Sequence, residues 1–154
     1  MSKKTLAGAR MLVELRRLAG QFRTAIERCP RARQHPDFEN FPRGSCGDAS
    51  LLLAKYLREN GHKGFVYVGG YRDGWHHWLQ RDNLVVDITA DQFATKHKPV
   101  IVEFNSQWHL TFDRDPLEEH VTDFEDYDDK TAALLTNVYR AIIAQLKVNL
   151  AGGE

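Results

Sequence analysis

With 154 residues, of which 42% are apolar, 27% charged and 10% aromatic, the chain has the composition of a single globular domain spanning 1–154. A chain this long buries roughly 70% of its unfolded surface, so it needs neither a disulfide framework nor a structural metal. The 21 Lys and Arg balance 21 Asp and Glu, which argues against a dedicated nucleic-acid binder, and no apolar run approaches the ~20 residues of a membrane span.

No h-region follows the charges of the N-terminal segment, so no secretory signal is visible and a cytoplasmic setting with two free thiols, Cys29 and Cys46, is expected. The charge balance hides an asymmetry. Residues 1–33 carry nine Lys and Arg against Glu14 and Glu27, a local +7, whereas residues 113–129 carry nine acids against Arg114 alone, a local −8. Two solvated faces are the plain interpretation; the sharper one is that the segments lie near each other or face oppositely charged partners.

In chain order, residues 5–28 form the first expected helix, because Met11, Leu15, Leu18, Phe22 and Ile26 make one apolar stripe. Cys29-Pro30 ends it, since the residue before proline is pushed out of helical geometry. A Pro-containing loop covers 31–44, and a second helix runs from Cys46 to Asn60, between Ser45 and Gly61. The periodicity then changes. Segments 64–70, 75–80 and 84–88 are short, β-branched and aromatic, and separated by turn residues, so they are expected as antiparallel strands. VIVEF (100–104) and HLTF (109–112) are expected to extend the sheet. A closing helix spans 127–147, with Ala133, Leu134, Val138, Ile142 and Leu146 on one face. The fold class is α+β.

The segment Gly44-Ser45-Cys46-Gly47-Asp48 is chemically the most informative. With Ser45 as N-cap and Asp48 at the third helical position, as in a capping box, Cys46 is the first helical residue. There it faces unpaired backbone N–H groups and the positive end of the helix dipole, both of which favour thiolate. The same amides could stabilise an oxyanion. Cys29, before a proline at the far end of its helix, has no such cradle and is expected to be a small buried hydrophobe.

A thiolate nucleophile needs an imidazole, and the imidazole needs an orienting group. Trp75-His76-His77-Trp78 and Asn83-Leu84-Val85-Val86-Asp87-Ile88-Thr89 supply both if they are neighbouring strands. A carboxylate among Leu84, Val85, Val86 and Ile88 is costly unless paired. Strand side chains alternate, so His76 and His77 are expected on opposite faces, with only one able to serve.

This pattern resembles the transglutaminase-like branch of the papain-like cysteine hydrolases. Their histidine strand often reads His-x-Trp, matched by His76-His77-Trp78, and their aspartate often lies in Asp-x-Thr, matched by Asp87-Ile88-Thr89. The resemblance covers about residues 40–93, the catalytic core, flanked by the N- and C-terminal helices. It implies a nucleophile helix packed on an antiparallel sheet, with Cys46 as nucleophile, His76 as general base and acid, and Asp87 as orienting carboxylate. Asn40, six residues before Cys46, and Gln92 are the oxyanion-hole candidates it suggests. Gly47 departs from the family, in which the residue after the nucleophile is often aromatic.

Trp75 and Tyr71 are candidate groove residues, while Trp78 is expected in the core. The histidines show no metal-ligand spacing and the Gly69-Gly70-Gly74 segment opens no helix, so no metal and no cofactor is expected. The expected activity is hydrolysis of an amide in a protein or peptide through a thioester. A transglutaminase-type acyl transfer, or an inactive papain-like module that binds a protein partner, is the alternative.

Overall fold

The computed structural model describes residues 2–93 and 98–153. Helix α1 (Lys3–Glu27) begins where Ser2 accepts a hydrogen bond from the Thr5 N–H, and it buries Leu15, Leu18, Ala19, Phe22, Ala25 and Ile26. Helix α2 (Cys46–Glu59) follows a loop containing two short 3₁₀ turns and ends at Asn60, with Gly61 at φ 88° supplying the left-handed residue that reverses the chain. Three antiparallel strands come next: β1 (Val66–Tyr71), β2 (Trp75–Arg81) and β3 (Leu84–Asp87). Strand β4 (Ile101–Phe104), helix α3 (Gln107–Leu110), the two-residue β5 (Asp113–Arg114) and helix α4 (Asp129–Ala151) complete the chain.

The described residues thus form an α+β fold with one antiparallel sheet in the order β4-β3-β2-β1-β5. Strand alternation divides its side chains between two cores. Leu79, Leu84, Val86 and Val102 join the inner faces of α1, α2 and α4 in the main core. Val68, Trp78, Val85 and Phe112 form a smaller cluster with Val66, Phe93 and Trp108. Asp87 continues the Val85 side of β3, as His76 continues the Trp78 side of β2.

Two sequence expectations change. HLTF (109–112) is not a strand: it belongs to the helical turn α3 and the residues after it, with Leu110 N–H bonded to the Ser106 carbonyl. A helical turn puts positions four apart on one side, which lets Trp108 and Phe112 meet edge to face at 4.9 Å in the smaller cluster. The closing helix starts at Asp129, capped by Asp128, and its buried face is Leu135, Val138, Tyr139, Ile142 and Leu146. Leu134, which was expected on that face, is 45% exposed.

The acidic segment has ion pairs to α2, from Lys55 to Glu125 at 2.6 Å and from Arg58 to Asp123 at 3.7 Å, and one within itself, from Arg114 to Glu119 at 3.7 Å. Within the basic segment, buried Arg23 clamps Asp91 through two bonds of 2.7 and 2.8 Å and donates to the Ile88 carbonyl at 2.7 Å. Such planar bidentate pairing fixes position as well as charge. It anchors the 3₁₀ turn Ala90–Gln92 that carries Gln92. No helix among the described residues is long and apolar enough to cross a membrane.

Candidate active site

Cys46 opens α2, but Ser45 does not cap it in the expected way. The Ser45 hydroxyl turns back to donate to the Asp37 carbonyl at 2.5 Å and makes no side-chain cap bond, so the capping box does not form. Asp48 instead approaches Asp37. Burial, hydrogen bonding to Asp37 and the charges of Asp37 and Cys46 push the Asp48 carboxyl up to about 7.

Strand β2 supplies two imidazoles. His77 places Nδ1 3.4 Å from Cys46 Sγ and turns Nε2 to Glu118 Oε2 at 3.2 Å. His76 donates Nε2–H to Asp87 Oδ2 at 2.6 Å. His77 Nδ1 is the ring nitrogen seated against the thiol, and the His76 ring acts on it from nearby. Burial alone would raise the Cys46 pKa, but the influence of His76 and then His77 brings it from 9.0 down to about 6. As strand alternation implies, the two rings have different neighbours, and it is His77 whose nitrogen meets Sγ. The β2–β3 ladder begins only at Leu79, so the β2 edge at His76 is not occupied by a β3 partner.

Asp87 is buried, with 1% of its surface exposed, and is fully engaged. Oδ1 accepts from the Thr89 N–H at 2.8 Å, and Oδ2 accepts from both His76 and His109, the latter at 2.7 Å. Burial opposes its ionisation, but the charge of His76 and the bonds from His109 and His76 hold it well below the usual carboxylate range. The reciprocal effect raises His76 to about 10: burial lowers it, while the Asp87 charge and hydrogen bond, then Cys46, outweigh the burial. Four aromatic rings surround His76 at 5.4–5.7 Å: Trp78, Phe93, Trp108 and Phe112.

Gln92 enters the site as a neighbour of His76. Its Oε1 faces His76 Nδ1 at 3.0 Å, and its Nε2 donates to the Trp75 carbonyl at 3.2 Å. Asn40 is exposed on the loop before α2, and no hydrogen bond among the described residues joins its side chain to the Cys46 cluster. Tyr71 and Trp75 lie side by side at the β1–β2 hairpin end, 53% and 50% exposed, with ring centroids 5.7 Å apart. Trp78 is fully buried, and so is Cys29 at 3% exposed.

Four contributors are absent from the sequence reading. His109 reaches Asp87 because α3 folds Ser106 and His109 onto one another at 2.7 Å, and a Ser-x-x-His spacing is the only local trace of that. Glu118 reaches His77 because residues 115–120 run beside β1, with Asp115 N–H on the Gly69 carbonyl and Tyr67 and His120 exchanging two bonds. Tyr67 stacks on His77 at 4.7 Å. Gly69 makes room for this assembly, since a Cβ there would stand 2.5 Å from His77 Cδ2 and 2.9 Å from Glu118 Cβ. Gly47 has a local cause too: a Cβ there would meet the Tyr67 hydroxyl at 3.0 Å.

Two groups of three possible metal donors occur among the described residues: His76, Asp87 and His109, and His35, Asp37 and Asp48. In the first, the 2.6 and 2.7 Å separations are those of direct N–H···O bonds, whereas tetrahedral ligands around zinc stand roughly 3.3 Å apart. In the second, His35 Nδ1 and Asp37 Oδ2 are 4.0 Å apart, and Asp37 is exposed. Compared with family models, curated proteins and solved structures, the chain matches none.

Proposed function

We propose that the protein is a cysteine hydrolase of the transglutaminase-like, papain-like type that cleaves an amide bond in a protein or peptide. One observation carries this reading: a thiol at the start of α2, hydrogen-bonded to an imidazole that is backed by a carboxylate and close to a second such pair, with a pKa near 6. A cysteine that merely fills space has no use for such an arrangement, and Cys29 in the same chain shows the alternative.

At neutral pH the Cys46 thiolate attacks the substrate carbonyl, and the developing oxyanion lies toward the amides of the first turn of α2. The tetrahedral adduct collapses to a thioester as the amine leaves with a proton from an imidazolium beside the sulfur. Water then attacks the thioester, an imidazole takes its proton, and the acid departs with the thiolate regenerated. Asp87 keeps its imidazole partner charged and fixed, as the sequence resemblance implies for the triad Cys46, His76 and Asp87.

The test is a panel of peptides with C-terminal amides, internal peptide bonds or glutamine side chains, read by mass spectrometry for cleavage, ammonia release and acyl-enzyme. The expected result is turnover of one class, lost in Cys46→Ser, with a hydroxylamine-sensitive acyl adduct on Cys46. Adding a primary amine separates hydrolysis from acyl transfer by the product formed. Turnover that survives Cys46→Ser would overturn the proposal.

A further inference from the structure

We propose that His77, braced by Glu118, is the imidazole that moves protons in the reaction, while His76 is a fixed cation that holds the thiolate. This rests on the reading of Cys46 as a nucleophile, and it reverses the roles that the sequence pattern suggests for the two histidines.

The roles follow from what each ring nitrogen faces. His76 Nε2 meets Asp87 Oδ2, and His76 Nδ1 meets Gln92 Oε1. The Gln92 amide is oriented by its own donation to the Trp75 carbonyl, so it is the oxygen that faces His76. A ring with an acceptor at each nitrogen carries both protons and has no lone pair left for base catalysis. His76 also has 0% of its side chain exposed and sits among four aromatic rings, so it cannot touch an incoming water or a departing amine.

His77 differs on each count. Its Nδ1 points at Sγ, Glu118 accepts from its Nε2, and 16% of its side chain reaches solvent. A carboxylate on Nε2 fixes the tautomer that presents Nδ1 to the reacting centre once that nitrogen has given up its proton. Tyr67 holds the ring flat, and the missing Cβ of Gly69 seats it. The titratable groups that face His77 are Cys46 from α2, Tyr67 from β1 and Glu118 from the segment beside β1.

The proton bookkeeping closes with no outside reactant. In acylation the S–C bond forms, the C–N bond breaks and the His77 Nδ1 proton leaves on the amine. In deacylation a water O–C bond forms, the water proton goes to Nδ1 and the C–S bond breaks to return thiolate. His76 stays protonated throughout.

The experiment uses p-nitrophenyl acetate, whose leaving group departs as an anion and so needs no general acid. Wild type is expected to give a burst of nitrophenolate, an acetyl group on Cys46 by peptide mass mapping, and steady turnover. His77→Gln, which fills the ring's volume without a base, is expected to keep a burst at pH 9, where a thiol of raised pKa is still ionised, but hydrolyse acetyl-Cys46 at least about a hundredfold more slowly, the low end of what a general base contributes. His77→Ala should agree, with circular dichroism confirming its fold. His76→Gln is expected to lose the burst at pH 6, because the thiol loses its fixed cation.

Glu118→Gln is expected to lower the midpoint of the pH profile for deacetylation, since removing a carboxylate disfavours the charged imidazole. An unchanged midpoint would remove Glu118 from its positioning role. Deacetylation at the wild-type rate in His77→Gln would overturn the proposal while leaving Cys46 as nucleophile. Absence of any acetyl-Cys46 in wild type would overturn the hydrolase reading and this assignment together.

Discussion

The reactivity of Cys46 toward a neutral electrophile as a function of pH tests the site without knowledge of its substrate. A thiol of pKa about 6 is half ionised at pH 6, whereas one at the ordinary 9.0 is ionised to about one part in a thousand, an advantage of about 500-fold in thiolate. Thiolate nucleophilicity falls with basicity at a slope of about 0.4–0.5. Three pH units of lowered basicity therefore take back about twenty- to thirtyfold. The net expectation is that Cys46 reacts with iodoacetamide about twentyfold faster at pH 6 than an ordinary accessible thiol, with a profile that levels off above pH 7. Cys29, buried at the end of α1, should stay unmodified while the fold is intact. The assay is peptide mass mapping of both cysteines after brief alkylation between about pH 4.5 and pH 10, with circular dichroism at each pH. A Cys46 midpoint near 9, or a pH 6 rate no greater than that of a small free thiol, would refute the electrostatic reasoning.

Asp87→Asn should raise the alkylation midpoint of Cys46, because His76 loses the charge that keeps it protonated and the thiolate loses that cation. Asp87, with its pKa lowered on folding, stabilises the protein above its unfolded value of 3.8 and loses that contribution as pH falls below it, so the variant's urea midpoint should vary less with pH on the acid side than wild type. Arg23→Met should destabilise the fold by about 2–4 kcal/mol in urea unfolding, since it leaves Asp91 and the Ile88 carbonyl without their partner. A loss below about 1 kcal/mol would mean that the clamp does not hold the Ala90–Gln92 turn.

Periodicity made the long elements legible. The α1 stripe and the Ser45-to-Gly61 frame of α2 are local signals, and each structural boundary lies within two residues of the expected one. The HLTF error has the opposite origin: its β-like composition is overridden by the packing of Trp108 and Phe112, edge to face, into the cluster with Val68, Trp78 and Val85. In the site, Cys46, His76 and Asp87 stood out because each residue type is unusual in its local setting, a thiol at a helix start or a carboxylate within an apolar strand. Glu118 carried no such mark. It is one acid among nine in residues 113–129, and only the pairing of residues 115–120 with β1 brings it to His77. His109 was hidden by the strand misassignment, because an alternating strand does not fold Ser106 onto it.

The arrangement of charge around Cys46 also bears on why the chain keeps it. Burying an ionised aspartate against imidazoles is seldom a net gain over well-packed apolar residues, because desolvation offsets the attraction. Stability alone therefore does not account for Asp87, His76 and His109 in the middle of an aromatic cluster. The thiol of Cys46 is the group on which both imidazole–carboxylate pairs act, the buried His76–Asp87 pair and the partly exposed His77–Glu118 pair. Asp48 fits the same account. With its carboxyl near pH 7, it is substantially protonated at neutral pH, so it does not place a full second negative charge beside the thiolate. Each of these groups bears a cost of burial or restraint, and the effects of the two histidines converge on lowering the thiol pKa to about 6.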